Sequence, residues 1–210
     1  MYRPFNEGDL VMALQHGVWV EGTVIGSAYG GLFGVLTTVK NNKDGSIFNY
    51  RDKELKHIDV IDSFTGEYSF LSNFYEPAYV IIDGHFFTNS EAAFHSYKCP
   101  DRIGEFTILG PKDAKRLGRT VKLRPDWDDI KDDVMYNVCF LKFTQNNELT
   151  NKLLATEFDT LIEGNTWGDT YLGVCDGEGE NHLGKILMEV RENIRNANYK
   201  LRDIPDPPNE

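Results

Sequence analysis

In the first 60 residues, apolar and polar positions alternate over short stretches; beyond them the apolar period lengthens to that of a helix. The alternating runs fall at 9–14, 18–25, 32–39, 46–50 and 55–61, and His16-Gly17, Gly30-Gly31 and Asp44-Gly45 separate them. Such pairs supply the positive φ of tight turns, so the pattern predicts successive short strands. Strands at this spacing predict a small β-barrel over residues 1–61. A boundary follows at 62–66, and helices are expected at 90–98, 111–118, 127–145, 148–156 and 181–196.

Each helix carries its own signals. Asn89 or Ser90 can cap the first, and Pro111 and Gly118 bracket the second. The longest places Ile130, Val134, Val138 and Leu141 on one face. The last does the same with Leu183, Leu187, Val190 and Ile194, behind Asn181 as cap. Residues 199–210, rich in proline, are expected to be an extended, mobile tail.

Composition narrows the classes. Hydrophobic residues make up 40% and aromatics 12%, enough to bury a core. No apolar run approaches the ~18 residues of a membrane span, and Met1 to Phe5 do not begin a signal peptide, so a cytoplasmic location is expected. A net charge of −11 argues against a non-specific nucleic-acid binder but leaves room for a local basic pocket. The first 60 residues are nearly neutral, with six Lys/Arg and seven Asp/Glu, so the rest carries almost all the negative charge. Cys99, Cys139 and Cys175 are irregularly spaced, as are the five histidines. They point to reduced, inert thiols and to neither a metal nor a cofactor.

Three stretches could carry chemistry. In a helix, Glu91, His95 and Lys98 stand at i, i+4 and i+7 on one face, where imidazole and ammonium can shift a carboxylate's proton affinity. An ordinary solvated charge stripe has the same spacing, which leaves both readings open. In the second stretch, Asn165 to Asp169, Gly168 permits a turn that brings Trp167 and Asp169 to a ligand, for stacking and for stabilising charge on a sugar. A surface turn fits equally. The third, Gly177 to Asn181, precedes a helix and could present N–H groups to a phosphate, but Glu178 and Glu180 oppose that. Lys98, Arg119 and Arg124 are better candidates for phosphate charge.

Two resemblances sharpen these readings. Gly8 to Ala13 followed by Gly17 to Ile25 resembles the opening hairpin of an SH3-like or Tudor-like barrel. Across about 64–196, an ordered series resembles the NADAR family. The series comprises Ser69 to Phe74, Gly84 to Glu91, Lys98, Ala114 with Leu117-Gly118-Arg119, and Trp127 with Lys131 and Val134-Met135. It continues with Lys142 to Asn146, Leu153 to Thr156, Leu161 to Glu163, Trp167-Gly168-Asp169, Gly177 to Gly184, Leu187-Met188 and Arg191. The fold class expected is therefore α+β, a small barrel (1–61) followed by a mainly helical NADAR domain (62–198) and a tail (199–210).

The resemblance implies metal-independent cleavage of an N-glycosidic bond. The implied substrate is a phosphorylated ribosylamino-pyrimidine of riboflavin synthesis or ADP-ribose on guanine, as a nucleotide or within nucleic acid. It places the family's functional glutamate on Glu91, its tryptophans on Trp127 and Trp167, and its aspartate on Asp169. Glu91 and Asp169 would share the acid–base work. Trp127 and Trp167 would wall the site, Lys98 and Arg119 would meet phosphate or tune Glu91, and Asn73, Phe74, Asn181 and His95 would contact substrate. The chain departs from the family at Ala92, often histidine there, at His95, usually glutamine, and at Glu180 and His182, where basic residues are common. Two rival readings are a non-catalytic binder that sequesters an ADP-ribose-type nucleotide and a barrel that docks a protein partner through Trp19, Tyr29 or Phe33. The alternative for those aromatics is that they fill the barrel core.

Overall fold

The computed structural model describes residues 3–208. Met1, Tyr2, Asn209 and Glu210, which belong to the expected barrel and tail, lie outside the described residues. The chain divides into two compact units. Unit 1 runs up to Val60 and takes in Phe158–Thr160; unit 2 comprises Ile61–Glu157 and everything from Leu161 onward.

Unit 1 is one antiparallel sheet of β1 (Leu10–Gln15), β2 (Val18–Tyr29), β3 (Val35–Asn41), β4 (Ile47–Tyr50) and β5 (Leu55–His57), in the order β4-β3-β2-β1-β5. His16 and Gly17 both have positive φ, 51° and 83°, the conformation that closes a two-residue hairpin between Gln15 and Val18. Alternate side chains, Val11, Ala13, Val24, Val39, Tyr50 and Leu55, make the core. The predicted strands are present with shifted ends: β2 runs to Tyr29 past a bulge between Val24 and Gly26, and Gly31–Phe33 is a 3-10 turn where a strand was expected to begin. The expected closed barrel is not observed. Among the described residues no pairing joins the outer strands β4 and β5. Tyr29 and Phe33 are exposed and fill no core, whereas Trp19 packs on Phe158 at 5.5 Å under the Lys56 ammonium.

Unit 2 adds a hairpin, β6 (Val80–Ile82) with β7 (His85–Phe87), and, among the described residues, six α-helices. These are α1 (Ser90–Ser96), α2 (Ile103–Phe106), α3 (Pro111–Gly118), α4 (Trp127–Thr144), α5 (Asn147–Ala155) and α6 (His182–Arg195). A two-strand parallel pair, β8 (Gly164–Asn165) with β9 (Val174–Cys175), lies between α5 and α6. The five expected helices begin and end within a few residues of their predicted positions, where apolar periodicity is the shared signal; the four-residue α2, too short to show a period, was not predicted. Asn89 caps α1, accepting the Ala92 N–H at 2.8 Å, a contact worth about 1 kcal/mol.

The helix α4 is buried far beyond the one stripe its periodicity predicts. Besides Ile130, Val134 and Val138 it buries Met135, Tyr136, Asn137, Cys139, Phe140, Lys142 and Phe143. The Cys139 thiol, fully enclosed, is pushed up to about 12 and is inert. Residues 199–208 have no regular secondary structure, and hydrogen bonds tie them to the rest of unit 2. Asn137 donates to the Arg202 carbonyl and accepts its N–H, both at 2.8 Å, and Arg202 pairs with Asp133 and Glu189, each at 2.7 Å.

Two stability predictions follow from α4. Asn137→Ala removes both bonds to the Arg202 backbone, and urea unfolding should show a loss of about 1–3 kcal/mol. The fully buried Lys142 ammonium donates to the Ser72 carbonyl at 2.8 Å, and burial pulls its pKa from 10.5 down to about 8. The unfolded chain therefore binds the proton more tightly than the folded one, so the Lys142 contribution to stability rises with pH between about 8 and 10.5. Relative to Lys142→Met, the wild type should gain stability across that window; parallel curves would rule out the lowered Lys142 pKa.

Candidate active site

The helix α1 is short and enclosed along its whole length. Its spacing sets Glu91 and His95 on one face, and the imidazole Nε2 lies 2.9 Å from Glu91 Oε1. Both side chains are only 7% exposed, so this is no solvated stripe. Burial pulls the His95 pKa down, outweighing the hydrogen bond to Glu91 that raises it. A neutral ring beside a carboxylate donates its Nε2–H, which leaves Nδ1 as an acceptor, and Nδ1 is buried without a partner. The α3 backbone closes over that nitrogen at Gly118, where a Cβ would stand 2.4 Å from it. Only glycine permits that approach. From the other side, the Glu91 N–H donates to the Asn73 carbonyl at 3.1 Å, which fixes where α1 begins.

Cations surround this pair. Lys98 Nζ lies 5.4 Å from the Trp127 ring centroid and 5.9 Å from that of Phe94. Burial draws the Lys98 pKa down while Glu91 supports its charge, and Lys115 and Arg119 oppose it. Lys115 Nζ lies 5.3 Å from the Phe74 ring. Arg119, just beyond the end of α3, is exposed.

The segment after α5 brings two more carboxylates. Asp169 Oδ1 accepts the Leu172 N–H at 2.9 Å, and Asn165 fixes the turn by accepting the Asp169 N–H at 3.0 Å and donating to its carbonyl at 2.7 Å. Glu163 is largely buried, and its Oε2 has no hydrogen-bond partner. Burial pushes its pKa from 4.5 up to about 7; Asp169 and Glu91 add to the rise, against Lys142 and Lys115. Glu91, Asp169 and Glu163 thus share one electrostatic neighbourhood with several lysines.

Other expected residues stand differently. Trp127 is 6% exposed and packs on Phe94 at 5.2 Å, so it braces the site from within the core. Trp167 is 64% exposed, standing out from the turn at Gly168. Asn73 is buried, its amide donating to Met135 Sδ at 3.2 Å. Asn181 precedes α6 but makes no capping bond; its side chain accepts the Glu163 N–H at 3.0 Å and donates to the Leu161 carbonyl at 2.9 Å. Arg124, read as a phosphate candidate, is committed to Asp126 and to the Pro205 carbonyl. The acidic turn is tied inward as well: His182 bridges Glu180 at 2.8 Å and Asp132 at 2.9 Å, and its ring stacks on Tyr171.

Sequence reasoning gave no role to Glu163, Lys142 or Lys115. A lone lysine in the apolar run Phe140-Leu141-Lys142-Phe143 was a usable signal, since a charge at such a position needs a buried partner. Glu163 stood in the sequence only as the end of the family-like stretch Leu161 to Glu163, with no role attached. A separate cavity of about 380 Å³ is lined by Ser96 and Tyr97 at the end of α1 and by residues 201–207. None of the three carboxylates lines it. Among the described residues, no group of three or more His, Cys, Asp or Glu could hold a metal ion.

Comparison with known proteins sets this geometry in a family. The NADAR domain model matches residues 62–195. N-glycosidase YbiA of Shigella flexneri is 34% identical over 155 residues, 69% of this chain and 96% of that protein. A riboflavin biosynthesis protein of Vibrio vulnificus is 37% identical over 146 residues, 66% of this chain but 39% of that protein, so the chain spans well under half of that relative. The NMR structure of Escherichia coli YbiA superposes with a TM-score of 0.61 at 31% identity, covering 70% of this chain and 92% of that one. This mixed α+β chain therefore belongs to the NADAR domain family, with relatives named as N-glycosidases and riboflavin biosynthesis proteins.

Proposed function

We propose that this protein is an N-glycosidase that hydrolyses the bond between ribose and base in a ribosylamine or ADP-ribose-type nucleotide. The observation that carries the reading is the buried Glu91–His95 pair within a neighbourhood that also holds Asp169, Glu163, Lys98 and Lys115. Breaking an N-glycosidic bond builds positive charge on the ribose. That charge calls for an anion near the sugar, a base for water and a proton for the departing nitrogen. Glu91 and Asp169 supply carboxylates for the first two tasks. The His95 hydrogen bond holds Glu91 in one orientation, and Trp127 beneath Lys98 keeps that side of the site dry. Lys98, Lys115 and Arg119 provide positive charge for substrate phosphate. Phe74 and Trp167, both partly exposed, offer rings to a base. Asn73 and Asn181 act through backbone positions, since their amides are engaged with protein atoms.

For unit 1, the strand order β4-β3-β2-β1-β5 and the 3-10 turn Asp52–Glu54 before β5 support an SH3-like reading. The exposed Tyr29 and Phe33 support a role in docking a protein. Removing residues 1–60 should then abolish partner capture and leave base release unchanged.

Purified protein should release free base from ADP-ribosylated guanosine or from a phosphorylated ribosylamino-pyrimidine, as followed by mass-resolved chromatography. Glu91→Gln should lower turnover roughly 10²–10⁴-fold at unchanged thermal stability. Tight nucleotide binding without release by the wild type would replace this reading with sequestration of the nucleotide.

A further inference from the structure

Two of the three carboxylates have hydrogen-bond donors: Glu91 accepts from His95, and Asp169 accepts the Leu172 N–H. Glu163 differs. Among the described residues no group donates to its buried Oε2, and of the charges that act on it Asp169 and Glu91 are negative, against Lys142 and Lys115. Its main chain is nevertheless held on both sides. The N–H goes to Asn181 Oδ1 at 3.0 Å, and the carbonyl accepts from Val174 N–H at 2.9 Å. Gly173 passes so close that a Cβ there would lie 3.0 Å from Glu163 Cγ. The side-chain stem is thus fixed, while its buried Oε2 is left without a partner among the described residues.

We infer that Glu163 is a third catalytic residue, the carboxylic acid that protonates the departing base. The inference rests on the N-glycosidase reading above. In the step, the bond from ribose C1′ to the base nitrogen breaks and its electron pair stays on nitrogen. That nitrogen takes the Glu163 proton. The oxygen of one water bonds to C1′, and the proton it sheds passes to Glu91 or Asp169. Exchange of that proton with Glu163 through solvent restores the starting state, with one water consumed. The partnerless Oε2 is the atom that carries the proton, and the base nitrogen is the acceptor it lacks in the free protein. The pKa of Glu163, pushed up to about 7 by burial and by Asp169 and Glu91 against Lys142 and Lys115, keeps a large fraction protonated at neutral pH.

The test is a pH–rate profile of base release for wild type, Glu163→Gln and Glu163→Asp, with carboxyl NMR of each protein. Wild-type kcat should fall as pH rises through about 7. Glu163→Gln should lower kcat roughly 10²–10⁴-fold with KM changed less than about threefold, and should abolish the alkaline limb. Glu163→Asp should keep the limb at reduced kcat, and it serves if the glutamine variant fails to fold. NMR should find one carboxyl titrating near neutrality in the wild type and missing from Glu163→Gln, whether or not substrate is turned over. A glutamine variant that keeps full kcat, or loses kcat yet keeps the alkaline limb, overturns the assignment. No base release by the wild type from either substrate overturns the glycosidase reading and this role with it. Release by the wild type without a carboxyl titrating near neutrality overturns the role alone.

Discussion

The cost of burying charge away from water governs the arrangement of unit 2. Every residue of α1 is buried, so Glu91 and His95 must satisfy each other, and they do so at 2.9 Å. That distance exists only because the segment is helical, which puts positions four apart on one face. The Asn89 cap starts the helix, the Asn73 carbonyl receives the Glu91 N–H, and Gly118 lets the α3 backbone lie against the imidazole. Each is a backbone requirement imposed by one side-chain pair. A bulkier residue at position 118 would have to displace the imidazole and so leave Glu91 buried without its partner.

The carboxylates after α5 are held by a different device. Between residues 161 and 183 the chain has little regular structure, so two asparagines take the place of a strand ladder. Asn165 ties both ends of the Asp169 peptide unit, and Asn181 bridges Leu161 and Glu163. A side-chain amide can do this because it donates and accepts at once. Asn181 adopts a left-handed conformation, φ 54°, which asparagine tolerates better than most residues. The residue that looked like a helix cap is thus the one that sets the Glu163 backbone.

Much of the helical frame was legible in the sequence, because capping and apolar spacing are local signals. The stripe Leu183, Leu187, Val190 and Ile194 is buried as its period predicts. The Glu91–His95 face was legible too, though not whether water reached it; Lys98, expected on the same helix, lies past its end at Ser96. Burial is a property of the whole packing, so neither the enclosure of α1 nor that of Lys142 follows from spacing. The short pairs β6–β7 and β8–β9 escaped for a related reason: strands of two or three residues carry no readable alternation. Trp127 and Trp167 show the same limit, since one tryptophan is core and the other is surface, and their sequence surroundings do not distinguish them.

Burial also moves acids and bases in opposite directions, and here the two converge. It lifts Glu163 from 4.5 to about 7 and lowers Lys142 from 10.5 to about 8. In water these groups titrate far apart; inside unit 2 both titrate close to neutrality. A protonated carboxyl in such a place costs little while the site is empty, because no isolated anion is formed. If a glycosidic bond breaks beside it, the balance changes. The ribose becomes positive as the proton leaves, so the new carboxylate forms next to a charge that stabilises it. The desolvation that opposes ionisation in the free protein is then offset at the moment the base departs, which is where a catalyst gains from it.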